Sequence, residues 1–108
     1  MVIIETSIFT KKIKTLLDDN EYRVLQNHLV KILNSGNIIQ ASGGIRKIRW
    51  AIKGGGKRGG MRIIYYWATS HDQIFMLYVY AKNEHHDLTK DQLSVLKKAV
   101  ELELKYEE

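Results

Sequence analysis

GGIRKIRWAIKGGGKRGGMRIIYYWA, residues 43–68, is where the hydrophobic rhythm of the chain changes. Before it, apolar residues recur every three or four positions. Within it they recur every second position, on both sides of a glycine-rich break. GGIRKIRWAI reads as one strand, RIIYYWA as a second, and IFMLYVYAK further on as a third. KGGGKRGG joins the first two and TSHDQ the last two, and both links are short enough for antiparallel hairpins. Upstream, VIIE is a short strand. Ser7 caps a helix carrying Phe9, Ile13, Leu16 and Leu17. After LLDDNE a second helix carries Tyr22, Leu25, Leu29, Ile32 and Leu33 and stops at Ser35-Gly36. So short a connection predicts an N-terminal helical hairpin. Downstream, Thr89 and Gln92 form a capping box, flanked by the Leu88–Leu93 staple. Leu93, Leu96, Val100 and Leu104 form the buried stripe of a C-terminal helix. The expected fold is α+β, in the order β-α-α-β-β-β-α, with helices packed on a small, mostly antiparallel sheet.

The chain has 108 residues, which predicts one domain spanning residues 1–108. Such a chain buries roughly two-thirds of its unfolded surface, enough for a core without disulfides or structural metal. It has no cysteine, which excludes a disulfide framework and thiolate metal sites. The longest apolar run, residues 74–81, is too short to span a membrane. MVIIETS lacks the positive start and cleavage site of a signal peptide. The expected location is the cytoplasm.

Charge is unevenly placed. The net value is +5 and the pI about 9.5. Between Glu21 and Asp72 lie fifty residues with no acid and nine basic side chains. Acids gather near both ends, in ETS, LLDDNE and ELELKYEE. Solubility surfaces normally mix both signs, whereas this distribution suits a polyanionic partner.

Strand alternation divides the side chains further. Arg46, Ile48, Trp50 and Ile52 share one face, with Ile45, Lys47, Arg49 and Ala51 on the other. Met61, Ile63, Tyr65 and Trp67 oppose Arg62, Ile64, Tyr66 and Ala68. Phe75, Leu77, Val79 and Ala81 oppose Met76, Tyr78, Tyr80 and Lys82. One face of each strand is greasy and the other mixes cations with tyrosines, the combination that neutralises phosphates and stacks on bases. The glycines of the 53–62 hairpin let backbone N–H groups approach a phosphate. Lys53, Lys57 and Arg58 supply cations there, and Arg46 joins the phosphate-binding candidates with Tyr66 and Tyr80, although each tyrosine taken alone reads better as a partly buried core ring.

Other motifs fail on context. Gly54, Gly56 and Gly59 satisfy G-x-G-x-x-G, but a strand follows where dinucleotide binding needs a helix. Gly56-Lys57 is followed by arginine, so it is no P-loop. His85-His86 lacks a third ligand at useful spacing, so no metal site and no cofactor are expected. Either imidazole is suited to proton transfer near neutral pH.

The element order, GGIRKIRWAIKGGGKRGGMRIIYYW and YAKNEHHDLTKDQ together resemble the RelE-like toxins of bacterial toxin–antitoxin pairs, the HigB branch above all. The resemblance spans nearly the whole chain. It implies a ribosome-dependent endoribonuclease that cuts messenger RNA in the A site without a metal, by attack of the ribose 2′-OH on the adjacent phosphate. It also implies a cognate antitoxin, of the helix-turn-helix DNA-binding kind. By match to the family pattern, Arg62 stabilises the phosphorane, Lys47 and Arg49 bind phosphate or assist proton transfer, and Lys82 is the basic residue ending the last strand. In the best-known branch an arginine follows the position of Lys82 and a tyrosine opens the last helix. Here Asn83 and Thr89 stand there, so Glu84, His85 and Lys57 become the acid–base candidates. Two other classes compete: a ParE-like toxin that binds DNA gyrase, and a module that binds RNA without cutting it. A gyrase binder has no need of cations at 47, 49, 62 and 82 converging on one face.

Overall fold

The computed structural model describes residues 1–51, 60–82 and 87–107, with the side chains of 105–107 left aside. Among these residues the order is β1 (Val2–Glu5), α1 (Ser7–Leu16), α2 (Asp19–Lys31), β2 (Asn37–Ile38), β3 (Arg46–Trp50), β4 (Met61–Ala68), β5 (Gln73–Ala81) and α3 (Lys90–Glu107). The strands form one sheet in the order β1-β5-β4-β3-β2. β1 runs parallel to β5 and the other neighbours are antiparallel. The expected α+β architecture is present, with β2 as an added two-residue edge strand. Its brevity hides it from a periodicity reading.

The sheet is covered on both faces. α1 and α2 bury Phe9, Ile13, Leu25 and Leu29 against Ile48, Met61, Ile63, Tyr65, Met76 and Val79. α3 covers part of the opposite face, packing Leu93, Leu96, Val100 and Leu104 near Ile45, Ile64, Phe75, Leu77 and Tyr80. Each large apolar side chain so buried contributes roughly 1.5–3 kcal/mol.

The helix signals resolve into specific contacts. Thr6, one residue before the expected Ser7, caps α1 by accepting the Phe9 N–H at 3.1 Å. Asp18 and Glu21 form a reciprocal capping box, so LLDDNE starts a helix as well as ending one. The Thr89–Gln92 box forms as expected, with bonds of 2.9 and 3.1 Å. α2 ends at Lys31, short of Gly36. Gly36 instead bonds to a core phenol. The Tyr65 hydroxyl accepts its N–H at 2.9 Å and donates to the Leu33 carbonyl at 2.9 Å. A Cβ on Gly36 would meet the Tyr65 ring at 2.9 Å, so only glycine lets the chain pass over that phenol.

One register feature corrects the alternation expected for β5. Ile64 pairs with Tyr78 but Tyr65 pairs with Met76, leaving Leu77 as an extra residue in a bulge. A bulge flips the faces on one side of it. Met76 therefore joins Val79 under α1 and α2, while Phe75 and Leu77 join the α3 face.

Candidate nucleic-acid interface

The face of β3 and β4 turned away from α1 and α2 carries the cations. Arg49 and Arg62 are direct cross-strand partners, as are Lys47 and Ile64 one step along. Lys47 and Arg49 are two residues apart, hence about 7 Å along the strand. Arg62 pairs on its other side with Tyr80 of β5. Three cations thus occupy neighbouring points on one surface, Arg49 exposed and the other two half-buried. Like charges directly opposite each other destabilise a sheet. Among the described residues no carboxylate forms an ion pair with either arginine.

Among the described residues, Asp87 is the acid that reaches this surface. Its Oδ1 lies 2.9 Å from the Lys47 Nζ, and its side chain is 77% exposed. It lines a cleft of about 810 Å3 together with Lys47, Arg49 and the β2 segment. Sequence reasoning assigned Asp87 no role. Forty positions separate it from Lys47, and no periodicity connects residues so distant.

Lys82 follows β5 and is exposed, and its backbone N–H donates to the Gly60 carbonyl at 3.0 Å. That bond sets the end of β5 beside the start of β4. Lys53, Lys57 and Arg58, and likewise Glu84 and His85, lie outside the described residues.

Three of the phosphate- and base-binding candidates do not join the cluster of cations. Arg46 pairs with Tyr65 and extends over the α1–α2 side, where its guanidinium donates to the Gly36 carbonyl at 2.8 Å. It braces the β2–β3 connection, away from the other cations. Tyr80 is only 2% exposed, a core ring beneath the site and not a platform for bases. Burial raises its phenol pKa, Asp87 adds to the rise and Arg62 opposes it. Tyr66 is half-buried, stacked on Phe75 with ring centroids 6.3 Å apart. It stands four residues along β4 from Arg62, about 13 Å. The α3 packing that buries these rings comes from a helix far along the chain.

The whole chain, residues 1–108, matches the family described as the RelE toxin of the RelE/RelB toxin–antitoxin system. The chain belongs to the RelE toxin family. It is therefore a toxin of a toxin–antitoxin pair, and an antitoxin is its implied partner. Within this RelE-family chain, strand pairing brings Lys47, Arg49 and Arg62 together. Among the described residues no helix is long and apolar enough to cross a membrane.

Proposed function

We propose that this toxin is a ribosome-dependent endoribonuclease that cuts messenger RNA in the A site, with no metal required. The observation that carries the reading is the Arg49–Arg62 cross-strand pair, with Lys47 one step along the same face. Arg49 and Arg62 stand directly opposite across the strand pair, the Arg62 guanidinium donating to the Met61 carbonyl at 3.3 Å, and an anion lying between the two would relieve their like-charge repulsion. A phosphorane, which gathers extra negative charge on its equatorial oxygens, is the anion they fit best.

In the proposed step the substrate's 2′-oxygen attacks the adjacent phosphorus as its proton passes to a base. The bond from phosphorus to the 5′-oxygen then breaks, and that oxygen leaves with a proton. The products are a 2′,3′-cyclic phosphate and a 5′-hydroxyl. Arg62 and Arg49 hold the non-bridging oxygens. Lys47 binds phosphate or assists proton transfer, and Lys82 adds positive charge where β5 ends. Glu84 and His85 lie in sequence between two anchored points, Lys82 beside Gly60 and Asp87 on Lys47. We assign the acid–base roles to that segment, with Lys57 as a further candidate. Lys53, Lys57 and Arg58 lie in sequence between β3, which carries Arg49, and β4, which carries Arg62, and we assign them to the RNA backbone. The HigB branch and a helix-turn-helix antitoxin are part of the same proposal.

Induction in bacteria with mapping of new RNA 5′ ends tests it. Cuts confined to translated frames are the expected result. Growth arrest with intact messages and inhibited gyrase would move the protein to the ParE-like class. Ribosome or RNA binding without new ends would leave it a binding module.

A further inference from the structure

The cleft at Lys47 and Arg49 continues past α3. A second cleft, of about 590 Å3, is lined by Gln40, Ala41, Lys90, Leu93, Ser94 and Lys97. Gln40 and Leu93 line both clefts, so the two halves form one trough with a saddle between them. Each half falls within the roughly 300–1,000 Å3 of sites that hold small organic molecules.

The far half is cationic on one wall and uncharged on the other, where Gln40 and Ala41 line it. Lys90, Ser94 and Lys97 follow one another along a single side of α3. All three are exposed, and among the described residues no carboxylate lines this half. The facing wall is a pinned turn. Ala41, Gly43 and Gly44 hold positive φ values of 62°, 76° and 108°. The buried Ser42 hydroxyl accepts the Ile45 N–H at 2.9 Å and donates to the Ile39 carbonyl at 2.6 Å. A Cβ on Gly43 would stand 3.4 Å from the Lys97 Cε, so the lysine stem lies along a stretch of backbone that carries no side chain.

We propose that this trough carries the substrate strand onward from the scissile phosphate, with Lys90 and Lys97 holding its backbone beyond the cut. The inference rests on the nuclease reading above. Continuity favours the substrate strand as occupant, because the trough opens directly onto Lys47 and Arg49. Lys97 stands seven helical steps beyond Lys90, about 10 Å of axis, a spacing that suits a chain of phosphates better than a single free one. Lys90 and Lys97 are positioning residues.

The test is Lys90→Gln with Lys97→Gln in the full chain, its fold checked by melting. Probes are fluorescein-labelled 2′-O-methyl RNAs of three and ten nucleotides, which lack the attacking hydroxyl, titrated across a range of salt. For the ten-nucleotide probe the slope of log K against log salt should fall by about 1.4, two contacts at about 0.7 each, with the three-nucleotide affinity unchanged. On ribosomes carrying message, KM should rise while kcat stays within about twofold. An unchanged slope on the longer probe overturns the inference. So does a loss confined to ribosomes without message, which would give the lysines to ribosomal RNA. If the parent protein leaves message on ribosomes intact, the nuclease reading fails first and takes the trough's substrate with it. A cutting parent with an unaltered variant sinks the trough alone.

Discussion

Replacing Arg62 by alanine separates catalysis from scaffold more cleanly than any other change. The side chain is half-buried, on the sheet face away from the α1–α2 core, with Arg49 directly across. Its loss removes a like-charge cross-strand contact, an effect of roughly 0.2–1 kcal/mol in favour of the fold. For a chain of this length about 1 kcal/mol moves Tm by roughly 4 °C. Lost packing of the arginine stem offsets part of that gain. The expected Tm therefore lies within about 4 °C of the parent, higher at low salt than at high. Cleavage should fall far more. Removing one preorganised donor to developing negative charge lowers kcat by about 10²–10³. Arg62→Lys should recover only part of this, since an ammonium keeps the charge but not the planar fork. The assay is single-turnover cleavage of message on ribosomes, with melting curves on the same preparations. A folded alanine variant that cuts at the parent rate would refute the assignment. A Tm drop beyond about 8 °C would make Arg62 part of the scaffold.

Tyr65→Phe strips the hydroxyl that joins Gly36 to Leu33, which should lower stability by about 2 kcal/mol, or roughly 9 °C in Tm by scanning calorimetry; a drop under about 2 °C would show that water replaces the phenol. Asp87→Asn releases Lys47 from an exposed ion pair worth about 0–1 kcal/mol, so Tm should hold while uncleavable RNA binds about two- to fivefold tighter; weaker binding would show that Asp87 positions Lys47 and does not compete with phosphate. Burial raises the Tyr22 phenol above its ordinary value of 10.0, with Glu5 adding to the effect, and burial also raises Tyr80. Both contributions to stability are complete below about pH 10 and are lost as pH rises past it, because the unfolded chain gives up those protons first. Tyr80→Phe should therefore flatten the fall in Tm between about pH 9.5 and 11; an equally steep fall would remove Tyr80 from the account.

Local chemistry was the part legible in the chain. The Thr89–Gln92 box needs only residues close together in sequence and is found where the pattern puts it, and Leu88 and Leu93 both pack against the α3-side core. The division of β3 and β4 into a greasy and a cationic face was equally readable, because an unbroken strand alternates with a period of two. The same rule failed in β5, where one extra residue at Leu77 reverses the faces of its first half. Arg46 misled differently. Its charge resembles that of Lys47 and Arg49, but its position in the alternation sends it to the Gly36 carbonyl.

By itself, then, the chain's order of residues determined where helices begin, which strand faces are apolar, and that positive charge concentrates in the middle third. Those properties follow from interactions among near neighbours. Tertiary structure decided that Arg49 pairs across the sheet with Arg62, that Asp87 reaches Lys47, and that α3 packs near Tyr66, Tyr78 and Tyr80 while Lys47 and Arg49 line a cleft. Each depends on strand register or on packing between segments far apart in the chain. Register answers to the burial of a whole face at once, which no short window of sequence contains.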